Sequence, residues 1–155
     1  MTVDLDDTLW EIHPVIQRAE RRLYEWLGEN YPRITERFTV EEMRTLRERV
    51  VEEYADKLHD LTLVRRAVLT AAANEAGYAE FRVDEAFAVF DQVRNEVDVF
   101  PEARPALLAL RERFTVIAVT NGNANLETIG IDDLFVIASI AAVFARSIGR
   151  SLGLL

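Results

Sequence analysis

The sequence predicts an α/β fold in which a small core of parallel strands is interrupted by an inserted lobe of four helices. Three observations predict it. A short apolar lead, Met1 to Val3, runs into Asp4-Leu5-Asp6-Asp7-Thr8. From His13 to about Asp98 the apolar residues recur at helical spacing almost throughout. After Val99 the pattern changes, and a β-branched run ends at Thr120-Asn121-Gly122. Strand-like segments therefore flank the helical block, so residues 1–12 and 99–155 are expected to form one discontinuous core and residues 13–98 a helical cap. The hinges fall near Glu11 to His13 and Asp98 to Phe100.

Each element follows from local pattern. Ile16, Ala19, Leu23 and Trp26 lie three and four residues apart, with Pro14 suited to a first helical turn and Gly28 to a stop. Thr39-Val40-Glu41-Glu42 has the form of a capping box, and behind it Met43, Leu46, Val50, Tyr54 and Leu58 share one face of a helix ending near Asp60. Thr62 to Ala76 is rich in Ala and Leu and closes at Gly77. Val83, Ala86, Phe87, Phe90, Val93 and Val97 form the fourth apolar stripe. Beyond it, Pro101 and Pro105 bracket the start of a helix carrying Leu107, Leu108 and Leu110. Phe114 to Val119 has the length and branching of a buried parallel strand. Asn123 to Ile129 reads as a short helix stopped by Gly130, Asp132-Asp133 as a turn ahead of Leu134, and Phe135 to Ile140 as a further strand.

Composition narrows the function classes. The chain has 155 residues, half of them hydrophobic, which suffices for one good core and a small second lobe. Its net charge of −9 disfavours nucleic acid as a partner, because a phosphate backbone rewards clustered positive charge. No run approaches the ~18 apolar residues of a membrane span, and the amino terminus lacks the pattern of a secretory signal. A cytoplasmic location is the default expectation. With no cysteine, disulfides, thiolate metal sites and cysteine nucleophiles are excluded together. A small anionic substrate entering this acidic chain would need a local cation, which points to a metal ion.

Asp4 and Asp6, two positions apart in extended backbone, project from one face of a strand end. A carboxylate can accept a phosphoryl group if a divalent cation neutralises the charge between the two anions and a second acid protonates the leaving oxygen. Thr120, with Asn121 and neighbouring backbone N–H groups, can supply fixed donors to phosphoryl oxygens. The less specific reading of Asp4 to Thr8 is an acidic turn capping the next helix, and that of Thr120-Asn121-Gly122 is a strand-ending turn.

These two motifs, with a cap-sized insert between them, resemble the haloacid dehalogenase-like hydrolases in their phosphatase branch. The resemblance implies a Rossmann-like core with a helical cap and Mg²⁺ as cofactor. It implies that Asp4 forms an aspartyl-phosphate and binds Mg²⁺, and that Asp6 acts as general acid and base and offers its carbonyl to the metal. Thr8 would brace the loop, and Thr120 would hold the phosphoryl group, with Asn121 and Gly122 beside it. A narrower likeness rests on Asp-Leu-Asp-Asp-Thr-Leu-Trp, on His13-Pro14-Val15-Ile16 and on Thr-Asn-Gly-Asn-Ala, which are similar to the bacterial riboflavin-pathway phosphatases. It implies a small phosphorylated metabolite as substrate, flavin mononucleotide or the phosphorylated ribitylaminouracil precursor. Asp6 favours phosphoryl transfer over dehalogenation, which does not need a second acid two residues after the nucleophile.

The chain also departs from the family pattern. Lys57, the sole lysine, lies inside the expected cap, not in the later position where the family carries a lysine beside the phosphoryl group. No acidic residue follows Phe135, where the family has a pair that completes the Mg²⁺ shell; only Arg146 and Arg150 carry charge there. The lead before Asp4 is short, and the tail to Leu155 does not read as the rest of a core, which suggests a truncated or frame-shifted end. The expectations are near-inactivity on phosphate monoesters, weak metal binding, lower stability, and association through an open sheet edge beside the nucleophile strand. The rival from another class is a non-catalytic interaction protein whose helical bundle binds a partner; a haloacid dehalogenase is the alternative within the enzymes. Oligomeric state is not legible.

Single residues carry both kinds of reading. Trp10 can stack on a substrate ring or pack the hinge. His13 reads as a helix-start residue, and His59 as a surface residue near a helix end. Trp26, Phe87 and Phe90 read as cap core.

Overall fold

A computed structural model describes residues 1–53, 60–120 and 122–140, with the backbone alone at 53 and 137–140. The element order is β1 (Thr2–Val3), α1 (Ile12–Asn30), α2 (Pro32–Arg37), α3 (Val40–Glu53), α4 (Leu61–Glu75), α5 (Val83–Arg94), α6 (Ala103–Arg111), β2 (Ile117–Thr120), α7 (Leu126–Ile129) and β3 (Ile137–Ile140). The chain divides into two compact units, Met1–His13 with Asn95–Leu155, and Pro14–Arg94.

Among its described residues the first unit holds a three-stranded parallel sheet in the order β1-β2-β3. Val3 pairs with Ala118, and Thr120 with Ile140, so the three strands run in one direction and end near one rim. Parallel neighbours need a crossover between them, and α7 with a 3₁₀ turn at Asp132–Leu134 supplies the one from β2 to β3. Leu5, Leu9, Trp10, Ala103, Leu107, Val116, Ala118, Leu126, Ile131, Leu134 and Phe135 form its core. The strand is shorter than its apolar run. Phe114 is 50 % exposed, because Arg113 and Phe114 still donate to Leu110 O at the end of α6, and extended pairing starts only at Ile117. Arg104 pairs with Asp133 at 2.7 Å, and Arg111 donates to the Asp133 carbonyl, tying α6 to the 3₁₀ turn.

Among the described residues the second unit contains α2 to α5 and nearly all of α1, five helices where the sequence pattern gives four. The added one, α2, has six residues and a single buried side chain, Ile34, too little for a periodic signal; Pro32 at its first turn was the available cue. Gly28 does not end α1, which continues to Asn30. A glycine inside a helix costs about 1 kcal/mol relative to alanine. Here the helix persists because Val15, Ala19, Leu23 and Leu27 are buried along one face. Gly77 and Gly130 do adopt left-handed backbone, with φ of 76° and 79°. Val97 is also reassigned: α5 stops at Arg94, and Val97 packs on the core of the first unit.

The capping box at Thr39 forms as the sequence predicts. Thr39 N–H donates to Glu42 Oε2 at 2.7 Å, and Glu42 N–H donates to Thr39 Oγ1 at 3.2 Å. The hydrogen bond from the Thr39 backbone, then that from its side chain, hold the Glu42 carboxyl below its usual range. A depressed folded-state value means that this stabilisation is complete above the unfolded value of 4.5 and is lost as pH falls through the folded one. Glu42→Gln is therefore expected to lower Tm at neutral pH, with the gap to the parent closing below pH 4.5. A gap that stays constant across a pH series of thermal melts would contradict the assignment.

The positions of Tyr54, Lys57, Leu58 and His59, of Asn121, and of Arg146, Arg150 and the tail after Ile140 lie outside the described residues.

Candidate functional site

Asp4 is the first residue beyond β1, and its side chain is exposed. Continuing the register from Val3 and Ala118 sets it level with Val119, one residue short of Thr120 at the end of the adjoining strand. Thr120 is buried, and its Oγ1 accepts from Gly122 N–H at 2.9 Å. This turn consumes the Gly122 amide, so that group is engaged within the loop, while the Thr120 hydroxyl keeps its own proton to donate. Asp4 and Thr120 thus leave neighbouring parallel strands at the same rim, where open α/β sheets bind ligands.

The loop from Leu5 to Trp10 is tightly folded. Thr8 N–H and Leu9 N–H both donate to Leu5 O, at 3.1 and 2.8 Å, and Asp7 N–H donates to Trp10 O at 2.8 Å. Asp7 has φ 58°, a left-handed conformation that aspartate tolerates better than most residues. Its Oδ1 accepts from Ile12 N–H at 3.0 Å, at the first residue of α1. The capping role that an acidic turn can play thus belongs to Asp7. Thr8 is exposed on the same loop. Asp6 is half-buried, and its Oδ1 accepts from the Trp10 indole N–H at 2.9 Å.

Trp10 is 0 % exposed and belongs to the core of this unit. Stacking of its ring on a substrate is therefore replaced by packing, the other role open to it in the sequence. Asn95 was not singled out by pattern. Its Oδ1 accepts from Asn125 N–H at 2.8 Å, and Asn125 in turn caps α7 by accepting from Thr128 N–H. Asn95 is buried and braces the segment after β2, yet a lone Asn past a helix end carries no periodic or motif signal.

A small, partly open cleft lies within the helical unit, lined by apolar Leu23, Leu27, Val40 and Val68 with Arg44 and Arg65. None of the sequence-predicted site residues lines it. Arg65 is only 18 % exposed, and its guanidinium lies 3.6 Å from the Phe90 ring centroid. Burial pushes its pKa down to about 10, Glu20 opposes that shift, and Arg47 adds to it.

The chemistry of the donors at the sheet rim fits Mg²⁺. Asp4 offers a hard carboxylate oxygen and Asp6 would add its backbone carbonyl oxygen, and Mg²⁺ is commonly held by one or two carboxylates with water and substrate phosphate completing the shell. Among the described residues no group of three or more acids or histidines gathers into an all-protein cage.

A parallel sheet with acids following one strand and a hydroxyl ending its neighbour is an open α/β arrangement, in which ligands bind at the carboxyl ends of the strands. The chain belongs to the haloacid dehalogenase-like hydrolases, whose pattern matches residues 1–150. It is 32 % identical over 151 residues to the 5-amino-6-(5-phospho-D-ribitylamino)uracil phosphatase YigB of Escherichia coli K12. That match covers 95 % of this chain and 63 % of YigB, so the chain spans less than two thirds of that relative's length. A 2-haloacid dehalogenase structure from Pseudomonas syringae pv. Tomato DC3000 superposes with a TM-score of 0.84 and 36 % identity, over 96 % of this chain and 70 % of that one. The fold is shared also with the magnesium-bound HAD-hydrolase YfnB of Bacillus subtilis, at TM-score 0.60 and 19 % identity, over 92 % of this chain and 64 % of that one. Among the described residues no helix is long and apolar enough to cross a membrane.

Proposed function

We propose that the chain is a Mg²⁺-dependent phosphomonoester hydrolase working through an aspartyl-phosphate on Asp4, with Pro14–Arg94 as its cap. The observation that carries this reading is the pairing of β1 with β2, which lets Asp4 and Thr120 leave adjacent strand ends while Asp6 follows Asp4 by two residues. Asp4 attacks phosphorus, and the bond to the leaving oxygen breaks as Asp6 gives that oxygen a proton. Asp6, now a carboxylate, takes a proton from the water that attacks phosphorus, and the bond to Asp4 breaks. Thr120 donates its hydroxyl proton to a phosphoryl oxygen and so meets the developing charge with a fixed dipole. Mg²⁺ held by Asp4 and Asp6 would supply charge neutralisation between nucleophile and phosphate.

The substrate class is a small phosphorylated metabolite. The likeness to YigB supports the phosphorylated ribitylaminouracil as a compound to test, and the motif resemblance to the riboflavin-pathway phosphatases adds flavin mononucleotide. A second reading, haloacid dehalogenation, has its own support in the Pseudomonas syringae neighbour. The two part at Asp6, because only phosphoryl transfer to water requires an acid there. Incubation with flavin mononucleotide and with 2-chloropropionate separates them: phosphate release that depends on Mg²⁺ and falls roughly 100-fold or more in Asp6→Asn is expected. Chloride release indifferent to Asp6→Asn, with no phosphate released, would replace the first reading by the second.

A further inference from the structure

The indole of Trp10 does more than fill the core. A buried indole N–H must find an acceptor, and the one it has found is the carboxylate of Asp6, four residues earlier. Any backbone carbonyl would satisfy the donor equally well, whereas the half-buried Asp6 carboxylate gives up part of its hydration to accept it. Three further features fix the two ends of this bond. The Trp10 ring is wholly enclosed by the core that contains Leu5, Leu9, Leu107 and Val116, so it has no alternative rotamer space. Trp10 and Asp6 also face each other in an isolated backbone bridge, and Asp7 N–H donates to Trp10 O inside it. Finally, Phe100 N–H donates to Leu9 O, which ties the returning limb of the loop to a segment far away in sequence.

From this geometry we infer that Trp10 is the positioning residue for Asp6: its N–H holds one carboxylate oxygen and thereby fixes the side-chain rotamer from which Asp6 exchanges protons. The catalytic consequence rests on the phosphatase reading; the positioning itself does not. An aspartate side chain has three staggered χ1 wells to choose among. Anchoring one oxygen to an immobile ring selects one of them, and orientation of a proton donor is worth a substantial part of its rate effect. Trp10, wholly buried, acts only through Asp6.

The test combines rotamer and rate. In the full chain, the Hα–Hβ couplings of Asp6 are expected to be unequal, as for a single χ1, and to average toward equality in Trp10→Phe. The Trp10 indole N–H resonance is expected to shift and its hydrogen exchange to quicken in Asp6→Ala. Turnover of p-nitrophenyl phosphate at saturation should fall roughly 10- to 100-fold in Trp10→Phe with KM nearly unchanged. The double variant Trp10→Phe with Asp6→Asn should be no slower than Asp6→Asn alone, whereas a merely structural effect would add. Couplings of Asp6 unchanged by Trp10→Phe, or an indole resonance indifferent to Asp6→Ala, would overturn the inference. If Trp10→Phe does not fold, the indole resonance in Asp6→Ala decides alone. If the parent chain turns over no phosphate ester, the phosphatase reading falls, and the couplings and the indole resonance still decide whether Trp10 positions Asp6.

Discussion

Asp4→Asn is expected to abolish both phosphate release and the stabilisation that Mg²⁺ with beryllofluoride confers on the parent chain. Beryllofluoride mimics a phosphoryl group bonded to a carboxylate, so it reports on Asp4 without requiring turnover. A ligand present at about 100 times its Kd stabilises the folded state by about 2.7 kcal/mol, enough to raise Tm by several degrees. The asparagine variant keeps the size of the side chain and removes the anion that both metal and mimic need. Asp4 is exposed at the strand end, so the substitution leaves the core untouched, and the Tm without ligand should match the parent. Equal protection of parent and variant would move the binding site away from Asp4. Protection of neither, with no turnover, would favour the rival reading of a helical interaction protein on a hydrolase scaffold.

Phe90→Ala is expected to cost the most stability of any substitution considered. Phe90 is 2 % exposed in the core formed by Leu27, Ile34, Leu69, Ala72 and Ala86. Truncating a phenylalanine of this kind costs about 3 to 5 kcal/mol through lost burial and the cavity left behind. The ring also lies under the guanidinium of Arg65, at 3.6 Å from its centroid. A largely buried cation loses a favourable face, and Glu20, at 4.0 Å, becomes its remaining counter-charge. Folded domains hold only about 5 to 15 kcal/mol in reserve, so much of the helical unit's stability would go. Urea unfolding followed by circular dichroism should show a midpoint lower by about 2 M. An unchanged midpoint would show that Phe90 is not the centre of that core.

What the sequence disclosed and what it withheld divide along physical lines. Helix boundaries written in side-chain hydrogen bonds or in left-handed glycines were legible: the reciprocal bonds of Thr39 and Glu42, and the stops at Gly77 and Gly130. Gly28 misled because a glycine can be carried inside a helix whose apolar face is buried, and nothing local distinguishes that case from a stop. The short helix at Pro32 was missed because a single buried side chain makes no period. The strand register, the burial of Trp10 and the bracing by Asn95 depend on residues distant in the chain, such as Asn95 and Asn125, and pattern does not reach across such separations. At the candidate site, the residue types were legible and their division of labour was not. Four residues, Asp4 to Asp7, include three carboxylates, and only coordinates distinguish the one that caps a helix from the one held by an indole.

That division has a consequence for how the loop can vary. At position 7 the chain demands two properties that seldom coincide, permissive handedness at the α-carbon and an acceptor able to reach Ile12. Glycine keeps the first and forfeits the second; glutamate and serine do the reverse. Asparagine meets both, and Asp7→Asn would shed a negative charge while sparing the two acids proposed to do chemistry.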